Sequence, residues 1–172
     1  MEAMKYSLSE TVQHFNNINT LYDIDISDCI LPICDLYSNE GGEINFNNTE
    51  NIINLDCIEH FLIRKQNRIG NNTMDFTFII KNSLKELVLA DFKLNTSPES
   101  RLQSINKSKI EKKILNSIES YSLNITIHPD KYLIFRKEIV PIAKSRINRQ
   151  YYNRKHQIKS TDIKEFYNIF FS

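Results

Sequence analysis

The stretch ELVLADFKLN, residues Glu86–Asn95, begins as an apolar strand and ends with two opposite charges. Side chains alternate between the two faces of a strand, so Leu89, Asp91 and Lys93 are expected to share one face. The apolar residues between them are expected to share the other face. An acid and a lysine therefore point the same way at the end of an otherwise buried strand.

A second β-type run, MDFTFII at Met74–Ile80, precedes this stretch, and only KNSLK separates the two runs. A separation of this length is typical of a β-hairpin. If Ile80 pairs with Glu86, then Asp75 lies directly opposite Asp91. Opposed Cβ atoms are about 5 Å apart, and like charges at that separation repel each other. The pair therefore predicts a compensating cation, and hard divalent cations bind carboxylate oxygens.

A third acid lies on a helix that the pattern predicts over about residues 50–68. The apolar residues Ile52, Leu55 and Leu62 fall on one helical line with Glu59, which marks Glu59 as inward-facing. A buried acid needs a partner, because burying an unpaired charge is costly. A metal site shared with the two hairpin acids would supply that partner.

The remaining sequence predicts an alternation of helices and strands around this hairpin. The expected elements are a helix beginning near Ser7, an N-cap at Thr49 for the helix that carries Glu59, a helix beginning at Ser97–Glu99, two strands NITI and KYLIF separated by the turn HPDK, and a terminal helix capped by Thr161. The segment DIDISDCILPICDLYS fits a strand or a loop. This order indicates an α/β, mixed α+β, layer protein.

The length of 172 residues fits a single domain over residues 1–172. We expect a core at about 50–136, an acidic helical N-terminal extension at 1–49 and a basic C-terminal extension at 137–172. Hydrophobic residues make up 41% of the chain and charged residues 25%, which is typical of a globular protein. No apolar run approaches the roughly 20 residues of a membrane span, so no membrane association is expected.

Three cysteines, Cys29, Cys34 and Cys57, are odd in number and lack the spacing of a zinc site. This pattern favours a reducing compartment over a disulfide scaffold. The first residues also lack the apolar middle region of a signal peptide. Both observations predict a cytoplasmic protein.

The net charge of +1 conceals a division along the chain. Residues 1–60 contain eleven acids and one base, whereas residues 61–172 contain ten acids and 21 bases. The basic share is densest at residues 144–159, which predicts a contact with nucleic acid or, equally, a solvated basic face. The candidate nucleic-acid-binding residues there are Lys144, Arg146, Arg149, Arg154 and Lys155. The acidic N-terminal third could cover part of the molecule or bind a basic protein partner.

A Glu on a helix, an Asp that opens one hairpin strand and an Asp-x-Lys that closes the next resemble the PD-(D/E)XK nuclease superfamily. The matching residues are Glu59, Asp75, Asp91 and Lys93, and the resemblance covers roughly Glu50–Phe135. It implies a restriction-endonuclease-like core, with a central mixed sheet flanked by helices in αβββαβ order.

Two departures from the family pattern affect this resemblance. Met74 stands where the family often has Pro. No strand is evident between Gly70 and Thr73, so the first core strand is expected to be permuted, shortened or drawn from residues 24–37.

The resemblance implies a Mg²⁺- or Mn²⁺-dependent endonuclease that hydrolyses phosphodiester bonds of nucleic acid, with DNA favoured over RNA. Asp75 and Asp91 would hold the metal together with the carbonyl of Phe92. Glu59 would hold a second metal or orient a water molecule, and Lys93 would position or activate the attacking water. A homodimer is one expected state, because many members that cut duplex DNA act as dimers.

Three other interpretations remain open. The chain could be a catalytically inactive protein-binding module on the same scaffold, such as an immunity or inhibitor protein that docks its acidic third on a basic toxin. It could be an RNA endonuclease domain of the viral-polymerase type, in which His14 or His60 would have to serve as a metal ligand. It could also be a nuclease toxin domain from a longer secreted chain.

Overall fold

A computed structural model of the chain describes residues 5–43, 45–97, 105–150 and 157–172. Its strands are β1 (Lys5–Tyr6), β2 (Ile30–Pro32), β3 (Asn51–Asn54), β4 (Phe76–Lys81), β5 (Lys85–Phe92), β6 (Thr126–Ile134) and β7 (Gln157–Thr161). Its α-helices are α1 (Leu8–Tyr22), α2 (Ile33–Asn39), α3 (Leu55–Gln66), α4 (Lys107–Tyr121), α5 (Val140–Gln150) and α6 (Ile163–Phe170).

All of these strands belong to one seven-stranded mixed sheet. The order is β2-β3-β4-β5-β6-β7, and β1 pairs with β4. Neighbours from β2 to β5 are antiparallel, whereas β5, β6 and β7 run parallel. Parallel strands need a crossover connection, and α4 and α5 lie within the two crossovers.

Helices cover both faces of this sheet. Buried residues of α1, α3, α4 and α5 pack with Leu87 and Leu89 on one face, and those of α2 and α6 pack with Val88 and Ala90 on the other. A sheet buried on both faces explains the nearly continuous apolar run of β5. Successive side chains of β5 therefore lie on opposite faces of the sheet, as predicted. The fold is a layered mixed α/β structure.

The hairpin of β4 and β5 has the predicted register. Ile80 pairs with Glu86, and the antiparallel ladder continues to Phe76 and Ala90. Asp75 and Asp91 are the next two residues outward from that last pair. This register sets the geometry of the candidate site.

The predicted helix over residues 50–68 is shorter at its start, because Asn51–Asn54 forms β3. Asn54 replaces Thr49 as the N-cap, and its side chain accepts a hydrogen bond from the Cys57 N–H at 3.1 Å. Ile53 pairs with β2 on one side and β4 on the other. A short apolar run such as NIIN is compatible with a strand or a helix, and pairing on both sides decides for the strand.

The two strands predicted around HPDK are one strand, β6. Its register with β5 shifts between Leu87 and Leu89, and Pro129 falls within this irregularity. A proline is tolerated there because a bulge does not need its missing N–H. The terminal helix, α6, is capped by Asp162 rather than by Thr161.

The apolar stripe predicted through Ile110, Ile114 and Tyr121 lies on α4, but α4 begins at Lys107 with Asn106 as its N-cap, so the predicted start at Ser97–Glu99 is wrong for this helix. Residues 98–104 lie outside the described ranges. Helix α1 begins as expected, with Ser7 as its N-cap. The segments expected as extensions supply β1, β2 and β7, so they take part in the sheet.

The expectation of free cysteines is wrong for two of the three. Cys29 and Cys57 form a disulfide with their Cα atoms 5.4 Å apart, a normal separation for such a bond. It joins the 3₁₀ turn Ser27–Cys29 to α3. No helix within the described ranges is long and apolar enough to cross a membrane.

Candidate active site

Asp75 and Asp91 lie side by side at the edge of the sheet where β4 begins and β5 ends. Asp91 is fully buried, and Asp75 is 7% exposed. The backbone N–H of Leu55 donates to the Asp75 carbonyl at 2.9 Å, which places the start of α3 at this same edge. The hairpin thus buries two acids next to each other, as the sequence predicted.

Every oxygen of the two carboxylates has a hydrogen-bond partner. Asp75 accepts from the backbone N–H of Phe92 at 2.6 Å through Oδ2. The ammonium of Lys113 donates to Oδ1 of Asp75 at 3.1 Å and to Oδ1 of Asp91 at 2.6 Å. Oδ2 of Asp91 forms an ion pair with Lys93. Two lysines therefore compensate the acid pair in this structure.

The environment separates the pKa values of the two acids. Desolvation, and then the negative charge of Asp91, raises the pKa of Asp75 well above its ordinary value. Burial also opposes ionisation of Asp91, but the charges of Lys93 and Lys113 outweigh it and hold the pKa of Asp91 below its ordinary value. Asp91 is therefore the more acidic of the two carboxyl groups.

Lys93 extends β5 beyond its last strand residue. Its backbone N–H donates to the carbonyl of Ile134 at 2.8 Å, so the β5–β6 ladder fixes its position. Its side chain is 15% exposed and reaches both Asp91 and, at 3.5 Å, the carbonyl oxygen of Phe92. The acid, the carbonyl and the lysine of the Asp-x-Lys stretch therefore meet at one point.

Lys113, on α4, is a site residue that sequence reasoning missed. It stands among the residues of α4 that are buried, namely Ile110, Ile114 and Ser117. Attraction by the acids outweighs desolvation and raises the pKa of Lys113 above its ordinary value. The signal was available, because a charged residue within an apolar helical stripe marks an inward position, the same reasoning that singled out Glu59.

Glu59 is buried, as predicted, but its hydrogen bonds lead away from the acid pair. Its Oε1 accepts from the Tyr121 hydroxyl at 2.7 Å. Its Oε2 accepts from Arg68 at 2.9 Å and from the backbone N–H of Asn71 at 3.1 Å. The side chains that pair with this buried acid are thus Arg68 and Tyr121, whereas its role in a metal site shared with the two aspartates stays a prediction.

Asp56, also on α3, interacts electrostatically with Asp91 and Lys113. It is exposed and stands in the first turn, where the helix dipole favours a negative charge. Desolvation raises the pKa of Asp56, Lys113 acts in the opposite direction, and the negative charges of Asp91 and Glu40 raise it further. Sequence reasoning did not consider Asp56.

The donor set of the acid pair fits a hard divalent cation. Oδ1 of Asp75 and Oδ1 of Asp91 converge on one ammonium, and the carbonyl of Phe92 lies near Lys93 beside them. Carboxylate and carbonyl oxygens are the ligands that Mg²⁺ prefers. Within the described ranges, however, no three His, Cys, Asp or Glu side chains are grouped as metal ligands. Such a cation would need to take the place of Lys113.

The predicted basic stretch is only partly described. Lys144, Arg146 and Arg149 lie on α5, which packs against β7, whereas Arg154 and Lys155 lie outside the described ranges. Lys144 is 3.8 Å from Glu165, and β6 separates β7 from β5. These cations therefore stand apart from the strand that carries Asp91 and Lys93.

Two other cations follow the strand that neighbours β5. Arg136 and Lys137 are exposed and come after Phe135, the buried residue next to the end of β6. The ends of parallel strands meet at one edge of a sheet, and Ile134 of β6 is hydrogen-bonded to Lys93. Both residues line a cavity of about 480 Å³ together with Tyr37, Asp162 and Lys164, among others.

Neither histidine proposed as an upstream metal ligand is shown at the acid pair. Nε2 of His14 is 2.7 Å from the carbonyl oxygen of Tyr121, and His60 is exposed on α3. Comparison with protein-family models, curated proteins and solved structures found no significant match. The functional argument therefore rests on the geometry of this site.

Proposed function

We propose that the chain is a divalent-metal-dependent nuclease with a restriction-endonuclease-like core, acting on DNA in preference to RNA. The observation that carries the proposal is the convergence of Asp75 and Asp91 on one cation position beside Lys93. Counted from the helix that carries Glu59, the elements run α3, β4, β5, α4 and β6, so they differ from the αβββαβ order in having two strands between the helices, with β3 placed before α3.

Asp75, Asp91 and the carbonyl of Phe92 would hold Mg²⁺ or Mn²⁺. Such an ion supplies Lewis-acid stabilisation of phosphate charge and lowers the pKa of water. Asp75 is anchored by the Phe92 N–H, and Asp91 lies within a paired strand, so both carboxylates are preorganised. Preorganised oxygens bind a cation without the energetic cost of ordering their side chains.

Lys93 would act on the substrate as a positive hydrogen-bond donor. Its ion pair with Asp91 fixes the ammonium at the sheet edge, and its partial exposure leaves it within reach of a phosphate. A fixed donor in a partly desolvated site stabilises the negative charge that develops on a phosphate during hydrolysis. Arg136 and Lys137 would bind the nucleic-acid backbone along the same edge.

The test is cleavage of labelled single-stranded and double-stranded DNA and RNA in Mg²⁺ or Mn²⁺. Wild-type protein should cut DNA, and Asp91→Asn purified in the same way should lose that activity, which excludes a contaminating nuclease. A wild-type protein that cuts none of the substrates would overturn the proposal.

A protein-binding module remains a second candidate. The observation that favours it is the full compensation of the acid pair by Lys93 and Lys113, which is what a stable scaffold without bound metal requires. The surplus of acids in residues 1–60 would then meet a basic protein. Absence of both cleavage and metal-induced stabilisation would favour this candidate.

A further inference from the structure

The ammonium of Lys113 occupies the point where a cation would bind the acid pair. It bridges Oδ1 of Asp75 and Oδ1 of Asp91, while the remaining oxygens are held by the Phe92 N–H and by Lys93. The two oxygens that already share one cation between the acids are therefore the two that Lys113 contacts.

The backbone of Lys113 is held in place by its own helix. The Ser117 hydroxyl donates to the Lys113 carbonyl at 2.9 Å and accepts from the backbone N–H of Met74 at 2.8 Å, which ties α4 to the residue before Asp75. Ile110 and Ile114 are buried on the same helix. This anchoring keeps the backbone of Lys113 next to the acids.

The side chain of Lys113 is less confined than its backbone. It is 22% exposed, whereas Asp91 is fully buried. A lysine has several rotatable bonds, so its head can move into solvent while its stem stays on α4. The acids can thus lose this counter-ion without any rearrangement of the helix.

We propose that Lys113 is the resident counter-ion of the acid pair and competes directly with a divalent cation for the position between Asp75 and Asp91. The inference rests on the proposed metal site and adds its regulation. Lys113 keeps the two buried acids assembled in the metal-free protein, and it sets the metal concentration at which the site fills.

The experiment measures Mn²⁺ binding to the full chain by isothermal titration calorimetry, without nucleic acid. Lys113→Met and Lys113→Gln both remove the charge. Glutamine keeps a hydrogen-bond donor, so Lys113→Gln serves as the neutral variant if Lys113→Met folds poorly. Lys113→Arg keeps the charge. Lys112→Met is the matched control, because Lys112 is an exposed neighbour on the same helix. Circular dichroism establishes that each variant is folded.

We expect the neutral variants at Lys113 to bind Mn²⁺ at least about tenfold more tightly than wild type, because a positive charge a few ångströms from the metal is removed. Lys112→Met and Lys113→Arg should stay within about twofold of wild type or bind more weakly. Without metal, the neutral variants at Lys113 should melt at a lower temperature than Lys112→Met, since the buried acids lose a partner.

Two results would overturn the inference, and they differ in what else they exclude. If wild type, Lys113→Gln and Lys113→Arg bind Mn²⁺ with equal affinity, Lys113 does not compete with the metal. The proposed metal site is unaffected by that result. Absence of Mn²⁺ binding in wild type and in the folded neutral variants would remove the metal site and the inference together.

Discussion

The backbone N–H of Phe92, at the end of β5, donates to a carboxylate oxygen of Asp75 at 2.6 Å. Asp75 directly precedes β4, so its side chain links the two strands of the hairpin. The regular ladder ends one pair earlier, at Phe76 and Ala90. A side chain that replaces a ladder hydrogen bond is held rigidly, which suits a ligand that must not move when a cation binds.

Binding of Mg²⁺ or Mn²⁺ should raise the melting temperature of the wild-type protein. A ligand that binds only the folded state stabilises it in proportion to the logarithm of its concentration. Asp91→Asn should abolish the rise, because it removes one of the two carboxylates that would share the metal. Differential scanning fluorimetry with a series of metal concentrations measures this. An equal rise in the variant would remove Asp91 from the site.

Lys93→Ala should separate catalysis from metal binding. Cleavage should fall by about two or more orders of magnitude, as expected on loss of a preorganised donor. The metal-induced rise in melting temperature should persist, because Lys93 supplies no ligand oxygen. Lys93→Met keeps the aliphatic stem and should behave like the alanine variant. If either variant cuts as fast as wild type, the role given to Lys93 is wrong.

Glu59→Gln should affect stability rather than metal affinity. The substitution weakens the ion pair with Arg68 and the hydrogen bond from Tyr121, which should cost about 1–3 kcal/mol in the free energy of unfolding. Urea denaturation measures the cost, and metal titration should give the wild-type affinity. Loss of metal binding with unchanged stability would instead restore the ligand role that the family resemblance implies.

The stability of the protein should depend on pH through His14. Burial lowers the pKa of His14 below its ordinary value of 6.5, although the hydrogen bond with the Tyr121 carbonyl acts in the opposite direction. The unfolded chain therefore takes up a proton first, so stability is lost as the pH falls below 6.5 and levels off below the folded pKa.

His14→Gln removes this titration while it retains an N–H donor for the Tyr121 carbonyl. Urea denaturation at a series of pH values should show that the wild type loses stability relative to the variant as the pH falls. A difference that stays constant over the same range would contradict the burial argument.

The cations at the sheet edge should contribute more to nucleic-acid binding than those on α5. Replacement of Arg136 and Lys137 by alanine should reduce the salt dependence of DNA affinity by about two phosphate contacts. The matched change of Lys144 and Arg149 should reduce it by less, because Lys144 already neighbours Glu165. If the substitutions at Lys144 and Arg149 reduce the salt dependence more, the nucleic-acid interface lies instead in the basic stretch at residues 144–159. Fluorescence anisotropy at several salt concentrations measures both slopes.

Local patterns were sufficient for the hairpin. The short KNSLK connection and the alternation of β5 determined the register, and the register placed Asp75 beside Asp91. Helix α1 was likewise predictable, since Ser7 caps it through contacts with its own first turn. In both cases the interacting residues are close in the chain, so the sequence limits the alternatives strongly.

Contacts between distant segments were decided only by the tertiary structure. Lys113 reaches Asp91 from α4, the helix within the crossover between β5 and β6, and Glu59 contacts Tyr121 of that same helix. The pattern marked Glu59 as inward-facing, but the choice between a metal and an arginine depended on which surface packed against it. The Cys29–Cys57 disulfide has the same origin, because pairing of β3 with β2 and β4 brings α3 to the turn that carries Cys29. Periodicity within one element determines which way a side chain points, whereas packing between elements determines what it meets.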